Sequence, residues 1–338
     1  MFEETCAKTV LGPLPFINAQ TCEFTPANFG GHNPQSKIRE SEQKPYTVDR
    51  GILREVLLTG LEGHVVYGKE YSHYTLGEGS VVAHFGDGAS ERGSLLLGAD
   101  GVRSAVRRQY LPHLKVVDTK SRPMYGKTPL TPSFESSILP RAMDCLSLIK
   151  DAQTGTVTLM EVIRFLPKEE RADQRDLPED YVYWVMIPPG SSALATDEVL
   201  NNINKDELAE LAKKLTAHWH PELRALVEYQ DPNHTGCFRL LSSDPECLKQ
   251  VWEPDARVTL LGDAAHSMMP STASGAVTAL RDAELLSNLI RDQGVSKESI
   301  GKYENEMRQY ASEAVAMSGK IGVMSFGLRA LADSEEVV

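Results

Sequence analysis

The 338-residue chain is 41% hydrophobic, which is enough to bury one large core or two ordinary ones. Its 35 basic and 47 acidic residues give a net charge of -12, which argues against nucleic acid or an anionic membrane as a partner and favours a small-molecule ligand. Five scattered cysteines without a CxxC pair indicate neither a disulfide framework nor a metal site. We find no signal-peptide pattern and no run of about 18 apolar residues, so we expect a cytoplasmic protein without a membrane span.

The first third of the chain reads as a loop, a helix and several strands. Residues 26–46 are polar and rich in turn formers, which predicts a long loop. From Asp49 the stretch DRGILREVLLTGL carries apolar residues at helical spacing and predicts a helix of about three turns. Residues 64–76, 79–88 and 93–101 alternate or run apolar and break at glycines, as strands do.

The middle of the chain is mixed, and the last third returns to a strand followed by helices. The β-rich runs 156–166 and 180–189, with a helical segment at 205–219, indicate a second layer or domain. Further on, RVTLLGD predicts a buried strand, and the segments from about 276 to 292 and from about 299 to 319 predict helices.

The turn after that buried strand has the residue types of a ligand site. In α/β folds the carboxyl ends of strands bind ligands, and Gly262 and Asp263 stand at this end. The glycine permits close backbone approach, and the aspartate can accept hydrogen bonds from ribitol or ribose hydroxyls. The helix predicted from near Ala276 would turn its free N–H groups toward an anion or a carbonyl. A purely structural alternative makes Asp263 a helix cap, and spacing alone leaves both readings open.

A second strand-Gly-Asp-helix unit, SLLLGADGVRSAVRRQYLP at 94–112, favours the ligand reading. GADGVRSAVR, followed much later by LLGDAAHSMMP and LRDAELL, resembles the class A FAD-dependent monooxygenases of the aromatic-hydroxylase type, especially fungal members. DRGILREVL also matches the family helix whose leading arginine contacts FAD, here Arg50. The resemblance covers nearly the whole chain from about residue 45.

The resemblance implies an α/β fold with a Rossmann-like FAD-binding domain and an inserted mixed β-sheet substrate domain. Residues 1–115 and 253–338 would form the FAD-binding domain, and 116–252 the substrate domain. FAD would be the cofactor and NAD(P)H the co-substrate. The implied cofactor-binding residues are Arg50, Asp100, Gly262, Asp263, Gly275 and Ala276.

The larger departure from the family is at the N-terminus. Family members begin with a strand, a GxGxxG turn, a helix and an acidic strand end that bind the ADP half of FAD, and these 338 residues contain no such unit. The difference corresponds to about 60–70 residues, a βαβ unit with its connections. On this basis we expect weak flavin binding, a colourless or partly loaded protein, and an exposed apolar patch that would favour a homodimer.

The smaller departure lies inside the second turn. Where the family has a glycine and an asparagine, this chain has Ala273 and Val277. If position 273 requires a positive φ, alanine costs on the order of 1 kcal/mol or more there. Both changes predict a weaker hold on flavin.

Several other candidates have simpler readings. His266 is interpreted as part of the fold, Arg107 and Arg108 as caps of a helix C-terminus, and His218 and His220 as surface or core histidines because no third ligand is near in sequence. Pro129 rules out a P-loop at Gly126-Lys127-Thr128. One face of the aromatic run Tyr181, Tyr183 and Trp184 could line a substrate pocket, although sheet core is the default.

Two functions from different classes follow. The first is an FAD-dependent monooxygenase that hydroxylates or epoxidises an electron-rich aromatic, polyketide-like or terpene-like molecule in secondary metabolism, with no catalytic base identified by the sequence. The second is a cofactor-free isomerase or cyclase on the same scaffold. A further alternative is a remnant of the family without catalytic activity. Flavin bound to the purified protein separates the first two.

Overall fold

The computed structural model describes residues 2–8, 14–26, 46–144, 146–189 and 197–337, with the side chain of residue 199 left out. These residues form two compact units. Unit 1 comprises Met1–Val65 and Ser121–Arg239, and unit 2 comprises Val66–Lys120 and Leu240–Val338. Nearly all of the loop predicted over 26–46 lies outside the described residues.

Among the described residues, ten strands have two to four residues and five have six or seven. In chain order they are β1 (Pro15–Asn18), β2 (Phe24–Pro26), β3 (Tyr71–Gly77), β4 (Ser80–Phe85), β5 (Ser90–Gly93), β6 (Leu96–Gly98), β7 (Val116–Asp118), β8 (Met124–Pro129), β9 (Ser147–Lys150), β10 (Val157–Ile163), β11 (Tyr181–Ile187), β12 (Gly236–Cys237), β13 (Leu241–Ser243), β14 (Val258–Leu260) and β15 (Glu335–Val337).

The two longest of the described α-helices come last in the chain. They are α1 (Arg50–Leu58), α2 (Ala105–Tyr110), α3 (Pro132–Glu135), α4 (Asp197–Asn202), α5 (Lys205–Leu215), α6 (Pro221–Glu228), α7 (Pro245–Lys249), α8 (Asp263–His266), α9 (Gly275–Gln293) and α10 (Lys297–Phe326). None of the described helices combines the length and the apolar character that crossing a membrane requires.

Unit 1 is built on a seven-stranded mixed sheet of order β12-β8-β11-β10-β9-β1-β2. Neighbouring strands are antiparallel except β1 and β9, which are parallel. Alternation along β10 and β11 sends Met160, Val182 and Trp184 to one face, where they pack with Leu208 and Leu223 of α5 and α6. On the opposite face of the same strands, the end residues are buried and the central residues are half-buried.

Unit 2 contains a parallel pair, β6 and β14, beside two three-stranded sheets of orders β3-β4-β5 and β13-β7-β15. The core joins Val258 and Leu260 of β14, Val106 of α2, and Tyr303 and Val315 of α10. Tyr303 also donates its hydroxyl to the carbonyl of Leu260 at 2.8 Å. This packing holds the carboxyl ends of β6 and β14 in one place.

The boundaries of the compact units differ from those expected from the family resemblance. Residues 1–65 cluster with 121–239, not with 66–120. The helix predicted from Asp49 is confirmed as α1, with Asp49 as its N-cap. The assignment of FAD and substrate roles to parts of the chain stays a prediction.

Candidate functional site

The two Gly-Asp turns leave the same end of one parallel pair. Leu260 of β14 lies opposite Gly98 of β6, and the N–H of Leu261 donates to the Gly98 carbonyl at 3.0 Å. A Cβ at Gly98 would lie 2.6 Å from Leu260 and 2.8 Å from Val106, so only glycine lets the strands and α2 approach this closely. The chain therefore brings together two turns that are far apart in sequence.

The second turn has a backbone conformation that favours glycine and an exposed carboxylate. Gly262 has φ 60°, and its N–H donates to Asp282 Oδ2 at 2.7 Å. The Asp263 side chain that follows is exposed and makes no hydrogen bond or ion pair with the described residues. Because Asp263 caps no helix, its carboxylate remains available to hydroxyl donors.

Helix α9 begins close to this turn without a cap. A Cβ on Gly262 would come within 3.1 Å of Ala279 in α9. Ser274 makes no side-chain capping bond, and the first turn carries no acidic residue. Within the described chain, no acceptor meets the N–H groups of Gly275, Ala276 and Val277. The positive end of the helix dipole is thus uncompensated by protein groups.

Ala273, just before α9, has a left-handed backbone. Its φ and ψ are 52° and 26°. From the sequence, strain at this position is expected only if its φ is positive. The φ is positive and the residue is alanine, so the condition is met. The strain of a Cβ in this region is about 1–2 kcal/mol.

His266 belongs to a buried polar network, in line with the structural role interpreted from sequence. Its Nε2 lies 2.6 Å from Asp282 Oδ2, and the hydroxyl of Tyr310 donates to Asp282 Oδ1. The Nδ1 atom of His266 is buried and has no partner among the described residues. Asp282 therefore links α9 to the Gly262 turn and to α10.

The Asp100 carboxylate is engaged at the start of α2. It accepts hydrogen bonds from the Ser104 hydroxyl, from the Ala105 N–H at 2.7 Å and from the Val106 N–H at 3.2 Å. Both oxygens thus serve the first turn of a helix. A contact of Asp100 with flavin stays a prediction.

Arg107 connects the two turns, and the prediction that it caps a helix C-terminus is wrong. Its guanidinium donates to the carbonyls of Val102 and Ala264, each at 2.9 Å, and the side chain is buried. Arg108 donates back to the carbonyl of Arg103. The Ala264 carbonyl is buried and 157 residues from Arg107, so local spacing could not reveal this contact.

In unit 1, Asp49 holds the head of the helix that carries Arg50. Its carboxylate accepts from the N–H of Gly51 at 2.8 Å, from Lys127 Nζ at 2.7 Å and from the Tyr181 hydroxyl at 2.8 Å. Burial acts to raise the pKa of Asp49, but the bonds from Lys127 and Tyr181 outweigh it and lower that pKa. The ionised carboxylate fixes α1 to strands β8 and β11.

Arg50 itself occupies the first position of α1 and is exposed. Its guanidinium makes no hydrogen bond or ion pair with the described residues. Burial raises the pKa of Tyr183, and the positive charge of Arg50 opposes this rise. Arg50 is therefore close enough to the sheet of unit 1 to act on Tyr183.

The half-buried face of that sheet carries a polar row. Glu161, Tyr183 and Lys127 lie directly opposite one another on β10, β11 and β8. Burial raises the pKa of Glu161, whose carboxylate accepts one bond, from the Thr47 hydroxyl at 3.2 Å. Trp184 faces the other way, is fully buried, and donates to Thr128. The aromatic run thus divides between the core and the opposite face, on which Tyr181 is buried and Tyr183 is half-buried.

The remaining sequence candidates have clear positions. Residues 126–128 lie within strand β8, so the rejection of a P-loop is confirmed. His218 Nε2 lies 2.8 Å from the buried carboxylate of Asp151. His220 is the N-cap of α6 and lies beside Cys22 and Glu222.

Comparison with known proteins shows which proteins this chain is similar to. The family profile described as "FAD binding domain" matches residues 247–318, which include the Gly262 turn and α9. The dual O-methyltransferase/FAD-dependent monooxygenase elcB of Phaeosphaeria nodorum is 33% identical over 359 residues, covering 96% of this chain and 38% of that protein. The corresponding protein CTB3 of Cercospora beticola is 34% identical, covering 87% of this chain and 36% of that protein. The chain thus spans little more than a third of these relatives.

Solved structures agree on the fold. A structure from Photorhabdus luminescens, described as an FAD-containing monooxygenase, matches this chain with a TM-score of 0.74 and 25% sequence identity. The match covers 98% of this chain and 81% of that protein. Klebsiella pneumoniae HpxO, solved with FAD and uric acid, shares the fold at a TM-score of 0.72 and 20% identity, covering 96% of this chain and 74% of its own. The predicted α/β, Rossmann-like FAD-binding fold is confirmed. By sequence and by fold, this chain is similar to FAD-dependent monooxygenases.

Proposed function

We propose that this chain is an FAD-dependent monooxygenase that oxidises an electron-rich aromatic, polyketide-like or terpene-like small molecule of secondary metabolism, with NAD(P)H and O₂ as co-substrates. One observation carries the proposal: a positive-φ glycine and an unpaired aspartate, Gly262 and Asp263, lie at the carboxyl end of a parallel strand pair. The uncapped N-terminus of α9 follows a few residues later. The fungal relatives elcB and CTB3, described as dual O-methyltransferase/FAD-dependent monooxygenases, support this choice.

The residues present fit FAD. Asp263 would accept hydrogen bonds from ribityl hydroxyls, and the unpaired N–H groups of Gly275 and Ala276 would meet an electron-rich part of the cofactor. Arg50, which has no protein partner in the described chain, would meet the pyrophosphate as a charged hydrogen-bond donor. When bound, FAD supplies the electron transfer from NAD(P)H and the activation of O₂.

The protein's own contribution is to bind the substrate and keep water away from it. We assign substrate contact to the polar row of Glu161, Tyr183 and Lys127 in unit 1. A carboxyl, a phenol and an ammonium group in one line can orient the hydroxyl and carbonyl oxygens of a polyketide-like ring. Such a row suits an oxygenated aromatic better than a plain hydrocarbon.

A second candidate, a cofactor-free isomerase or cyclase, is favoured by Ala273. In this left-handed turn, alanine places a methyl group where a glycine would let a cofactor approach the backbone more closely. Val277, two residues into α9, is 66% exposed and offers no amide to a flavin. In this case substrate would be converted without O₂ consumption.

Flavin titration of the purified full-length protein tests the proposal. The parent should bind FAD, and Asp263→Asn should weaken binding by about 1.5–3 kcal/mol, roughly 10-fold to 150-fold, because a neutral amide replaces a charged acceptor. Asp292→Asn, on the exposed side of α9, serves as the matched control and should bind like the parent. Equal affinities for parent and Asp263→Asn would remove Asp263 from the site, and turnover without flavin would establish the second candidate.

A further inference from the structure

A cluster of three different metal-ligating groups lies in unit 1, formed by Cys22, His220 and Glu222. One ligand atom from each, a thiol sulfur, an imidazole nitrogen and a carboxylate oxygen, lies within 4.8 Å of the others. None of these residues takes part in the site proposed for FAD or its substrate. Tetrahedral zinc bound at about 2.3 Å to sulfur and 2.0 Å to nitrogen places its ligand atoms roughly 3.5 Å apart, so a shift of about 1 Å completes the geometry.

The thiol is held on a rigid turn. Cys22 closes the connection between β1 and β2, where its N–H donates to the Asn18 carbonyl at 3.0 Å. The Asn18 side chain accepts from the N–H groups of Gln20 and Thr21 at 2.9 and 3.0 Å. Cys22 has φ 59°, a conformation that L-residues rarely adopt. The turn therefore keeps a strained cysteine where glycine, or to a lesser degree asparagine or aspartate, would fit more easily.

The other two ligands are fixed against this turn by the backbone. The N–H of His220 donates to the Ala19 carbonyl at 2.8 Å, and Ala19 is fully buried. Pro221 fixes the first residue of α6, and the Glu222 carbonyl accepts from the Leu139 N–H at 3.3 Å. Two rigid segments that are distant in sequence thus present their ligands to one point.

We propose that Cys22, His220 and Glu222 form a binding site for a divalent transition-metal ion of the zinc type. A thiolate, an imidazole and a carboxylate together suit zinc, whereas magnesium and calcium prefer oxygen ligands only. Three protein ligands leave a fourth position for water. Cys22 and His220 are partly exposed and Glu222 is exposed, which gives an ion access. Binding takes up the thiol and imidazole as thiolate and neutral imidazole, so metal uptake releases protons.

His220 also caps helix α6, so a test of the metal site must separate loss of the metal ligand from loss of the cap. The Nδ1 atom of His220 accepts from the Glu222 N–H at a long distance of 3.3 Å. A metal at Nδ1 takes the same lone pair, and a metal at Nε2 leaves the imidazole proton on Nδ1, so ligation at either nitrogen breaks this bond. His220→Asn keeps an N-cap side chain of the preferred type while removing the imidazole. This variant therefore separates loss of a metal ligand from loss of helix capping.

Cobalt titration of the full-length protein under reducing conditions tests the site, because cobalt bound by a thiolate shows a charge-transfer band in the near ultraviolet. One equivalent of Co²⁺ should produce the band and Zn²⁺ should displace it. Cys22→Ser should abolish the band, and His220→Asn and Glu222→Gln should each weaken binding by at least about 10-fold, the loss that even an outer-shell partner causes. Cys237→Ser, which alters another partly buried thiol of unit 1, should leave the titration unchanged.

The proposal is overturned if excess Co²⁺ gives no band, if the band survives Cys22→Ser, or if Cys237→Ser removes it. A band that His220→Asn and Glu222→Gln leave equally strong would also overturn it, as a lone thiol binding cobalt by chance. None of these readouts requires flavin or turnover, so they are independent of the function proposed above.

Discussion

Nε2 of His266 lies 2.6 Å from Oδ2 of Asp282, and the two side chains are 1% and 0% exposed. The same Asp282 oxygen accepts the N–H of Gly262, and its other oxygen accepts the hydroxyl of Tyr310. One buried carboxylate thereby fixes the positive-φ turn that precedes Asp263. The stability of unit 2 and the shape of the proposed flavin site depend on the same group.

Asp282→Asn should lower the free energy of unfolding by about 3–5 kcal/mol, because an amide cannot accept three hydrogen bonds and leaves a buried partner unmatched. Urea denaturation followed by circular dichroism measures the change. Asp292→Asn on the same helix is exposed and should stay within about 0.5 kcal/mol of the parent. A loss for Asp282→Asn as small as that of the control would show that the network contributes little.

Arg107→Lys should destabilise the protein by about 1–3 kcal/mol, because one ammonium cannot reach both the Val102 and the Ala264 carbonyl and one of them stays unsatisfied. Chemical denaturation measures the loss. The neighbouring Arg108→Lys keeps an exposed charge on the same helix and should be nearly neutral. Similar losses for the two variants would contradict the bridging role of Arg107.

Ala273→Gly should raise the free energy of unfolding by about 0.5–1 kcal/mol. Relief of the left-handed strain, about 1–2 kcal/mol, exceeds the roughly 0.4–1 kcal/mol by which glycine favours the unfolded chain. Ala276→Gly, within the helical part of α9, should instead lower stability by up to about 1 kcal/mol. If both substitutions destabilise the protein, position 273 does not carry the strain that its φ implies.

Glu161→Gln should stabilise the protein increasingly as the pH rises. Burial raises the pKa of Glu161 above its usual value, so the folded state binds this proton more tightly than the unfolded state does. The contribution of Glu161 to stability is therefore fully present below the unfolded pKa, near 4.5, and is lost as the pH rises through the folded pKa. Denaturation curves of both proteins from pH 4 to 8 should diverge, and Glu169→Gln, at an exposed site, should run parallel to the parent.

Local sequence patterns predicted much of unit 2. The strand before Gly262, the turn and helix α9 are set by apolar runs and small residues that lie close together in sequence, and the structure has them. The sequence also identified the condition under which Ala273 would be strained. Its left-handed φ meets that condition.

Contacts between distant segments escaped prediction for a physical reason. Arg107 looked like a helix cap because its acceptor on Ala264 is 157 residues away. His220 looked isolated because its potential co-ligand Cys22 comes from a hairpin at the other end of the sequence. The polar row on the sheet of unit 1 required the strand register, which side-chain alternation alone does not fix.

Unit 2 is formed by two segments that are far apart in sequence, which affects how it folds during synthesis. Strand β6 belongs to the segment Val66–Lys120, but its parallel partner β14 belongs to Leu240–Val338, and helix α2 packs against both segments. During synthesis at about 5–20 residues per second, the first segment leaves the ribosome on the order of ten seconds before β14 exists to pair with it. Gly98, Val106 and Arg107 spend that interval without the groups that cover them in the native state.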